Sequence, residues 1–283
     1  MTSPPLDQCI VMPFRAGPGA PFNGAGLALH FLLGNVLVLH AGFKEMWFGW
    51  RVKRIFDRQA AFERYCRDHT VDVDPADLGR KQKVRFWITG ICSDRSASLR
   101  FVDVAAPDAH APVWDLPVSL DDRLVDFRAR FIDRLAALGH AMHAGRIQAA
   151  LWPESIDAAG LDAVGRALER FYIFSAYGGD VGLDLAPFER AAAEAPASFM
   201  AQDLYGWAHY RNRNYAAARA AFLTSLNINP AGAGAMSGLM WCGVYAKDIE
   251  EAMFWSGRKA DVCGQDIEAA REEGRQRYRK VNG

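Results

Sequence analysis

The feature that most constrains the fold is an internal repeat in the second half of the chain. When the sequence is aligned with itself at a shift of 34 residues, residues of similar size coincide. The pairs are Trp207 with Trp241, Ala218 with Ala252, Tyr205 with Leu239 and Ala208 with Cys242. Such a period is typical of stacked helical hairpins, each of which buries its apolar face against its neighbours. No strand pattern occurs after about residue 157, so we predict an all-α domain over 157–283.

The segment 199–230 resembles a tetratricopeptide repeat. The motif positions are a large and small pair in the first helix, an alanine and an aromatic residue in the second, and a closing proline: Tyr205, Gly206, Ala218, Phe222 and Pro230. A second unit covers 233–266, with Met240 where a small residue is usual, and a half-unit covers 184–196. Because about three hairpins are needed to bury a shared core, the resemblance implies that flanking helices complete it.

The resemblance also implies a binding surface. In this repeat, the residue after the small position of the first helix tends to face the concave side, where ligands lie. Trp207 and Trp241 would then line a groove for a protein partner, with Asp203, Tyr210 and Arg211 nearby on the same helix as Trp207. The alternative is that this side holds the chain's own amino-terminal domain.

The first half of the chain alternates between strand and helix patterns. Strand patterns cover 9–14, 44–50, 84–92, 98–104 and 113–118. Helix patterns cover 26–40 and 51–69, and Ser119 is positioned to cap a third helix. This order predicts an α/β (α+β) domain with a mixed sheet over 1–145. A linker over 146–156, which contains Pro153, would connect it to the helical domain.

Several segments of this half resemble the TolB amino-terminal-like α/β domain, which occurs in bacterial proteins ahead of tetratricopeptide repeats. The matching segments are 10–14, 76–79, 86–90, 99–104 and 113–116, within a resemblance that covers about residues 9–138. The stretch 44–75 is longer than the family pattern, and no cyclase domain is present. Such domains are generally non-catalytic, so the resemblance implies a role in binding or assembly.

Composition argues against several classes of partner. The 33 basic and 33 acidic residues give a formal net charge of zero, so we expect neither nucleic acid binding nor membrane insertion. The apolar stretch 24–41 is too short and too polar for a membrane span. The five cysteines are dispersed and form no CxxC pair, which favours reduced, buried thiols. The amino terminus has no signal-peptide pattern, so we expect a cytoplasmic protein.

A glycine-rich loop over 15–26 lies between a predicted strand and a predicted helix, where a phosphate-binding loop would lie. Its glycines Gly17, Gly19 and Gly24, with Arg51 and Arg54 of a locally basic helix, form a weaker alternative ligand site. The loop lacks the GK[ST] ending of a P-loop, which favours a flexible connector.

No catalytic or metal-binding motif is present in the sequence. The candidate metal pairs are His140 with His143 and Cys66 with His69, and the candidate acid–base pairs are Asp72 with Asp74 and Asp121 with Asp122. Neither metal pair has further ligands at a suitable spacing, and neither acidic pair has the separated environments that acid–base catalysis requires. We therefore predict no metal, no cofactor and no assigned catalytic residue.

These observations lead to one main hypothesis and two alternatives. The main hypothesis is a non-enzymatic bacterial adaptor or scaffold that binds a protein partner through its helical domain. The first alternative is an enzyme, or a regulator that binds a nucleotide or small ligand in the α/β domain. The second is self-association of the repeats into a homo-oligomer.

Overall fold

The structure is a computed structural model that describes most of the chain. The described residues are 7–38, 43–45, 48–68, 70, 73–93, 96–104, 114–119, 130, 131, 133, 135–137, 156–178 and 182–283. The predicted linker therefore lies outside the described residues except for Ile156. The helix start expected after Ser119 lies outside them as well, and Ser119 itself ends a strand.

The described residues of the amino-terminal half form a mixed sheet of six strands. They are β1 (Asp7–Val11), β2 (Arg15–Ala16), β3 (Phe43–Glu45), β4 (Phe86–Cys92), β5 (Ser96–Asp103) and β6 (Trp114–Ser119). The order is β3-β1-β4-β5-β6, and β2 continues the line of β1 along β4. Strand β1 pairs in parallel with β3 and β4, and β2 also pairs in parallel with β4. Strand β5 pairs in antiparallel fashion with β4 and with β6. This confirms an α/β domain with a mixed sheet.

Burial along the strands follows from their place in the sheet. Almost every residue of the central strand β4 is buried, as its continuous apolar run predicts. Strand β5 begins with alternating exposed and buried residues, which is the pattern of a strand with one solvent-facing side.

Four helices whose bounds lie within the described residues accompany the sheet, and residues 130, 131, 133 and 135–137 are helical as well. They are α1 (Ala25–Val38), α2 (Val52–Ile55), α3 (Gln59–Arg67) and α4 (Pro75–Gln82). The helix predicted over 51–69 is interrupted, because Phe56 and Arg58 adopt extended backbone conformations. At this break the ring of Phe56 packs in an aromatic cluster. Its centroid lies 5.7 Å from that of Phe62 and 5.1 Å from that of Tyr65. The strand predicted over 44–50 is reduced to β3, and a 3-10 turn follows at Phe48–Trp50.

The described residues after 155 form helices and their connections. The helices are α5 (Ala158–Tyr177), α6 (Ala186–Glu194), α7 (Phe199–Arg211), α8 (Tyr215–Ile228), α9 (Ala233–Tyr245), α10 (Ile249–Val262) and α11 (Ile267–Asn282). Helices α7, α9 and α11 begin at residues 199, 233 and 267, and α8 and α10 begin at 215 and 249. Each step is 34 residues, so the period of the sequence is also the period of the helix bounds. A mostly helical carboxy-terminal region is thereby confirmed.

Helix α5 belongs to the cores of both halves of the chain. It packs against α1 on one side and α6 on another, and a single apolar cluster runs from the sheet to the start of α9. The buried ring of His30 on α1 forms a 2.8 Å hydrogen bond with the hydroxyl of Tyr172 on α5. Arg67 on α3 pairs with Glu169 on α5 at 2.7 Å. The boundary predicted before residue 157 therefore separates two segments that share a core.

Candidate partner-binding site

Five aromatic side chains form a connected surface across two successive hairpins. We call this surface the aromatic row; its members are Trp207 and Tyr210 on α7, Tyr215 on α8, and Trp241 and Tyr245 on α9. The ring centroids of Trp207 and Tyr210 are 5.4 Å apart, those of Tyr210 and Tyr245 5.9 Å, and those of Tyr245 and Trp241 6.4 Å. The rings of Tyr215 and Tyr245 stack at 4.7 Å with 4° between their planes. The two tryptophans expected to line a groove are thus joined through two tyrosines.

The aromatic row is exposed at one end and anchored in the core at the other. Tyr245 is 40% exposed, whereas the indole of Trp207 lies against the buried ring of Phe222 at a centroid distance of 5.3 Å. Trp241 is partly buried, and the guanidinium of Arg277 lies 5.4 Å from the centre of its ring. A partner would therefore contact mainly the end of the row formed by Tyr245 and Trp241.

The hydroxyls of Tyr210 and Tyr215 have a raised pKa and hold their protons more tightly than a free tyrosine does. Burial raises the pKa of Tyr210 above its ordinary value, and the nearby hydroxyls of Tyr245 and Tyr215 raise it further. Burial also raises the pKa of Tyr215. The row therefore offers neutral rings with hydroxyls that can donate and accept hydrogen bonds, which is the character of residues enriched at protein interfaces.

The structure places Asp203 beneath the row instead of on its surface. Its side chain is only 2% exposed, because α9 begins directly over it at Gly234, where a methyl group would overlap the carboxylate. Burial raises its pKa to about 7, although the hydrogen bond from the indole of Trp207 lowers it in part. Asp203 is thus a group that holds Trp207 in place, beyond the reach of a partner.

Arg211 is exposed, but its guanidinium is directed toward α5. It lies 5.8 Å from the ring centre of Phe171, a residue of the preceding helical hairpin. Among the predicted partner-binding residues, Trp207, Tyr210 and Trp241 are therefore in the row, Arg211 borders it, and Asp203 supports it from below.

Sequence reasoning missed four residues at this surface. Tyr215 and Tyr245 are not equivalent in the repeat, and only the antiparallel arrangement of the helices stacks their rings. Arg213 and Lys247 occupy equivalent turns, and both have a backbone φ of 61°. Aligning the sequence with itself at a shift of 34 residues places Arg213 on Lys247, so the repeat could have identified both cations.

The glycine-rich loop is held against α5 by its own chain. The amide of Gly24 donates a 2.5 Å hydrogen bond to the Oδ1 atom of Asp162, and Asp162 also pairs with Arg166 at 2.7 Å. The backbone of Gly24 contacts that of Gly165 so closely that neither residue has room for a side chain. A phosphate bound at the start of α1 would need the amide of Gly24 as a donor. That amide already donates its hydrogen bond to the carboxylate of Asp162.

The other members of this alternative site are spread along the loop and α2. Gly17 donates a 3.0 Å hydrogen bond from its amide to the carbonyl oxygen of Cys92, and Gly19 adopts a φ of 70°. Arg51 precedes α2, and Arg54 is exposed on it. An open cleft of about 360 Å³ lies between Phe22 of the loop and Arg166 of α5. A ligand-binding role for this loop stays a prediction.

Asp74 is exposed and accepts a 3.3 Å hydrogen bond from the amide of Asp77. The other remaining titratable candidates are buried or lie outside the described residues. All five cysteines of the chain are among the described residues, and each is a buried thiol that forms no disulfide. Burial raises the pKa of the Cys66 thiol, and burial lowers the pKa of His30 to about 3. His69, Asp72, Asp121, Asp122, His140 and His143 lie outside the described residues. Within the described part of the chain, no three His, Cys, Asp or Glu residues are grouped to hold a metal ion.

Comparison with known proteins finds no matching family model, no significant match among curated proteins and none among solved structures. Of the helices that the structure describes, none is both long and apolar enough to cross a bilayer.

Proposed function

We propose that this chain is a non-enzymatic cytoplasmic adaptor that binds a protein partner through its helical hairpins. The observation that carries the proposal is the aromatic row, in which five rings from two hairpins join into one partly exposed surface. Tyrosine and tryptophan contribute most to the affinity of protein interfaces, since they bury a large area at little cost in side-chain entropy.

The packing of the helical region supports this role. Helix α7 carries two residues of the row and packs against α8 and α9, while α5 connects the hairpins to the sheet. The row is thus built on rigid elements, which lowers the entropy that binding would cost. The resemblance to tetratricopeptide repeats and to a non-catalytic α/β domain points to the same kind of function.

The proposal is tested by affinity capture from cells of the source organism. The informative variant is Trp241→Ala with Tyr245→Ala, because these residues form the exposed end of the row. Trp207 is unsuitable, since its removal would leave a gap against Phe222 and deprive Asp203 of a hydrogen bond. The matched control is Phe254→Ala on α10, a ring that is 51% exposed and outside the row.

We expect one specific protein to be retained by the wild type and by Phe254→Ala, and to fall at least about tenfold with the double variant. Circular dichroism should show the same fold for all three chains. Retention of the same proteins by the double variant would contradict the proposal. Light scattering on the purified chains separates a foreign partner from a second copy, since loss of a dimer in the double variant would identify self-association.

A further inference from the structure

The buried carboxyl group of Asp203 lies at the contact between α7 and α9. The start of α9 closes over it at Gly234, where a methyl group would overlap its Oδ2 atom. Its Oδ1 atom has no hydrogen-bond partner among the described residues. Such a site tolerates a neutral carboxyl group far better than a charged one, because the charged form needs donors or water. The packing of α9 on α7 therefore depends on whether this group carries a proton.

The two helices that pack most closely on α7 bring no counter-charge to Asp203. Helix α9, which covers it, contains no acidic or basic residue, and its ionisable side chains are Cys242 and Tyr245. Helix α8 contributes Tyr215 and Arg219, and the guanidinium of Arg219 pairs with a carboxylate of α10 at 2.8 Å. A negative charge on Asp203 would therefore be uncompensated on this side.

The groups on the other helices that contact α7 are engaged elsewhere. The ring of His30 on α1 is hydrogen-bonded to a tyrosine of α5, and Glu169 of α5 pairs with an arginine of α3. On α7 itself, burial lowers the pKa of His209, and Glu189 of α6 opposes this change. The pKa of Asp203 is shifted by burial and by the indole of Trp207. The other charged residues of α5, α6 and α7 are exposed or paired with each other: Asp162, Arg166, Arg170, Arg190, Glu194 and Arg211.

Asp203 is connected to both halves of the aromatic row. Its hydrogen bond with the indole of Trp207 reaches the half that α7 carries. The helix that closes over it, α9, carries the other half, because Trp241 and Tyr245 follow Gly234 by about two and three turns. A displacement of α9 at Asp203 therefore moves the two halves of the row relative to each other.

The start of α9 contains donors that suit the charged form. No side chain caps this helix, since its N-cap residue is Gly232. The first amides of a helix have no acceptor within it, and they interact favourably with an anion. When Asp203 loses its proton, we expect the first turn of α9 to move until these amides, or water, reach the carboxylate. The contact thus has two arrangements, one for each protonation state.

We infer that Asp203 is a proton-controlled switch between α7 and α9 that regulates the aromatic row. In the protonated form α9 packs over the carboxyl group, and the row has the arrangement described above. In the charged form the first turn of α9 moves and the two halves of the row shift apart, so a partner is held less tightly. The effect on a partner rests on the proposed function, whereas the movement of α9 is a property of the chain itself.

The direction of the switch follows from the environment of the carboxyl group. Burial raises the pKa of Asp203 to about 7, although the indole of Trp207 opposes this rise. The protonated, closed form therefore dominates below about pH 7, and the charged form dominates above it.

Fluorine NMR on the full chain tests the movement of α9. The chain is labelled with 5-fluorotryptophan, and the signals of Trp207 and Trp241 are assigned by replacing each with phenylalanine. The informative variant is Asp203→Asn, which is neutral at every pH and can still accept the hydrogen bond from Trp207. The matched control is Asp266→Asn, at an exposed carboxylate that caps α11, a role that asparagine can take over. A second control, His209→Gln, removes the other buried titratable side chain of α7.

We expect the signals of both tryptophans to shift with a common midpoint near pH 7 in the wild type and in both controls. In Asp203→Asn both signals should stay constant over the same range. Wild-type signals that do not titrate, a titration that persists in Asp203→Asn, or a shift of Trp207 without Trp241 would overturn the inference.

Affinity capture at pH 6 and pH 8 tests the consequence for a partner. The protonated fraction of Asp203 falls about tenfold between these values, so the affinity of the wild type should fall by up to about tenfold. Capture by Asp203→Asn should be the same at both values. A protein that needs Trp241 and Tyr245 but is retained equally at both values would overturn the regulation and leave the proposed function intact. If no captured protein needs these two rings, the proposed function fails, and the fluorine spectra still decide whether α9 moves.

Discussion

At the scale of single residues, neighbouring side chains of α7 have different roles. Tyr210 and Trp207 connect the aromatic row, whereas Asp203, one turn earlier, is enclosed when α9 packs over it. Its Oδ1 atom has no hydrogen-bond partner among the described residues, so the charged carboxylate is poorly compensated there. The protonated form is therefore the one that the folded state favours.

This leads to a prediction for the dependence of stability on pH. The pKa of Asp203 is about 7 in the folded chain and about 4 in an unfolded one, so the folded state binds the proton more tightly. Stability should then fall as pH rises from about 4 to about 7, by at most about 4 kcal/mol, and stay lower above that range. Asp203→Asn should remove this contribution, since the amide is neutral and can still accept the hydrogen bond from Trp207.

Urea unfolding of both chains at several pH values measures the effect. The difference in unfolding free energy between Asp203→Asn and wild type should grow in favour of the variant between pH 5 and pH 8. A difference that is constant over this range would show that Asp203 is ionised in the folded chain at all of these values.

At the scale of elements, the contact between the glycine-rich loop and α5 decides how the sheet and the hairpins are joined. Gly24 and Gly165 bring the two backbones together, and the carboxylate of Asp162 accepts the amide hydrogen of Gly24. Phe22 is placed between two guanidinium groups, at 4.4 Å from that of Arg67 and 5.7 Å from that of Arg166. The loop is thus fixed by backbone contact, hydrogen bonding and cation–π interactions together.

We expect Gly165→Ala to lower the free energy of unfolding by about 2 to 4 kcal/mol, because its methyl group would overlap the carbonyl group of Gly24 and force the helices apart. Gly17→Ala is the matched control in the same loop. A methyl group there would meet its nearest atom, in Ile91, at an ordinary 3.5 Å, so its effect should stay below about 1 kcal/mol. Thermal or urea unfolding measures both; equal effects would contradict the close contact.

At the scale of the whole molecule, the sheet and the hairpins share a core through α5. Helix α1 is almost wholly buried, and part of its cover is α5, which lies far beyond it in the sequence. A chain that ends before α5 would expose this apolar surface to water, which is costly and promotes aggregation.

We therefore expect the fragment 1–145 to be poorly folded and the fragment 1–196, which adds α5 and α6, to unfold cooperatively. Circular dichroism melting and binding of a hydrophobic dye distinguish the two outcomes. A cooperative transition in fragment 1–145, with little dye bound, would show that the predicted domain boundary is also a boundary of folding.

The local elements of this protein can be predicted from its sequence alone. The 34-residue spacing between Trp207 and Trp241 predicts helices whose bounds recur with the same period, and the apolar run over 84–92 predicts the buried strand β4. These features depend on residues close together in the chain, so periodicity is enough to reveal them. The break at Phe56 is an exception, because contacts with Phe62 and Tyr65 override the helical pattern.

Which faces of these elements meet depends on how the whole chain packs. Three such contacts are the enclosure of Asp203 under Gly234, the stacking of Tyr215 on Tyr245, and the hydrogen bond between Asp162 and Gly24, which are 138 residues apart in the chain. The sequence pattern shows that each of these elements has a face to bury, but not which partner will bury it. That choice depends on the packing of all the elements at once, and it is this packing that separates the exposed residues of the aromatic row from the residue that supports it.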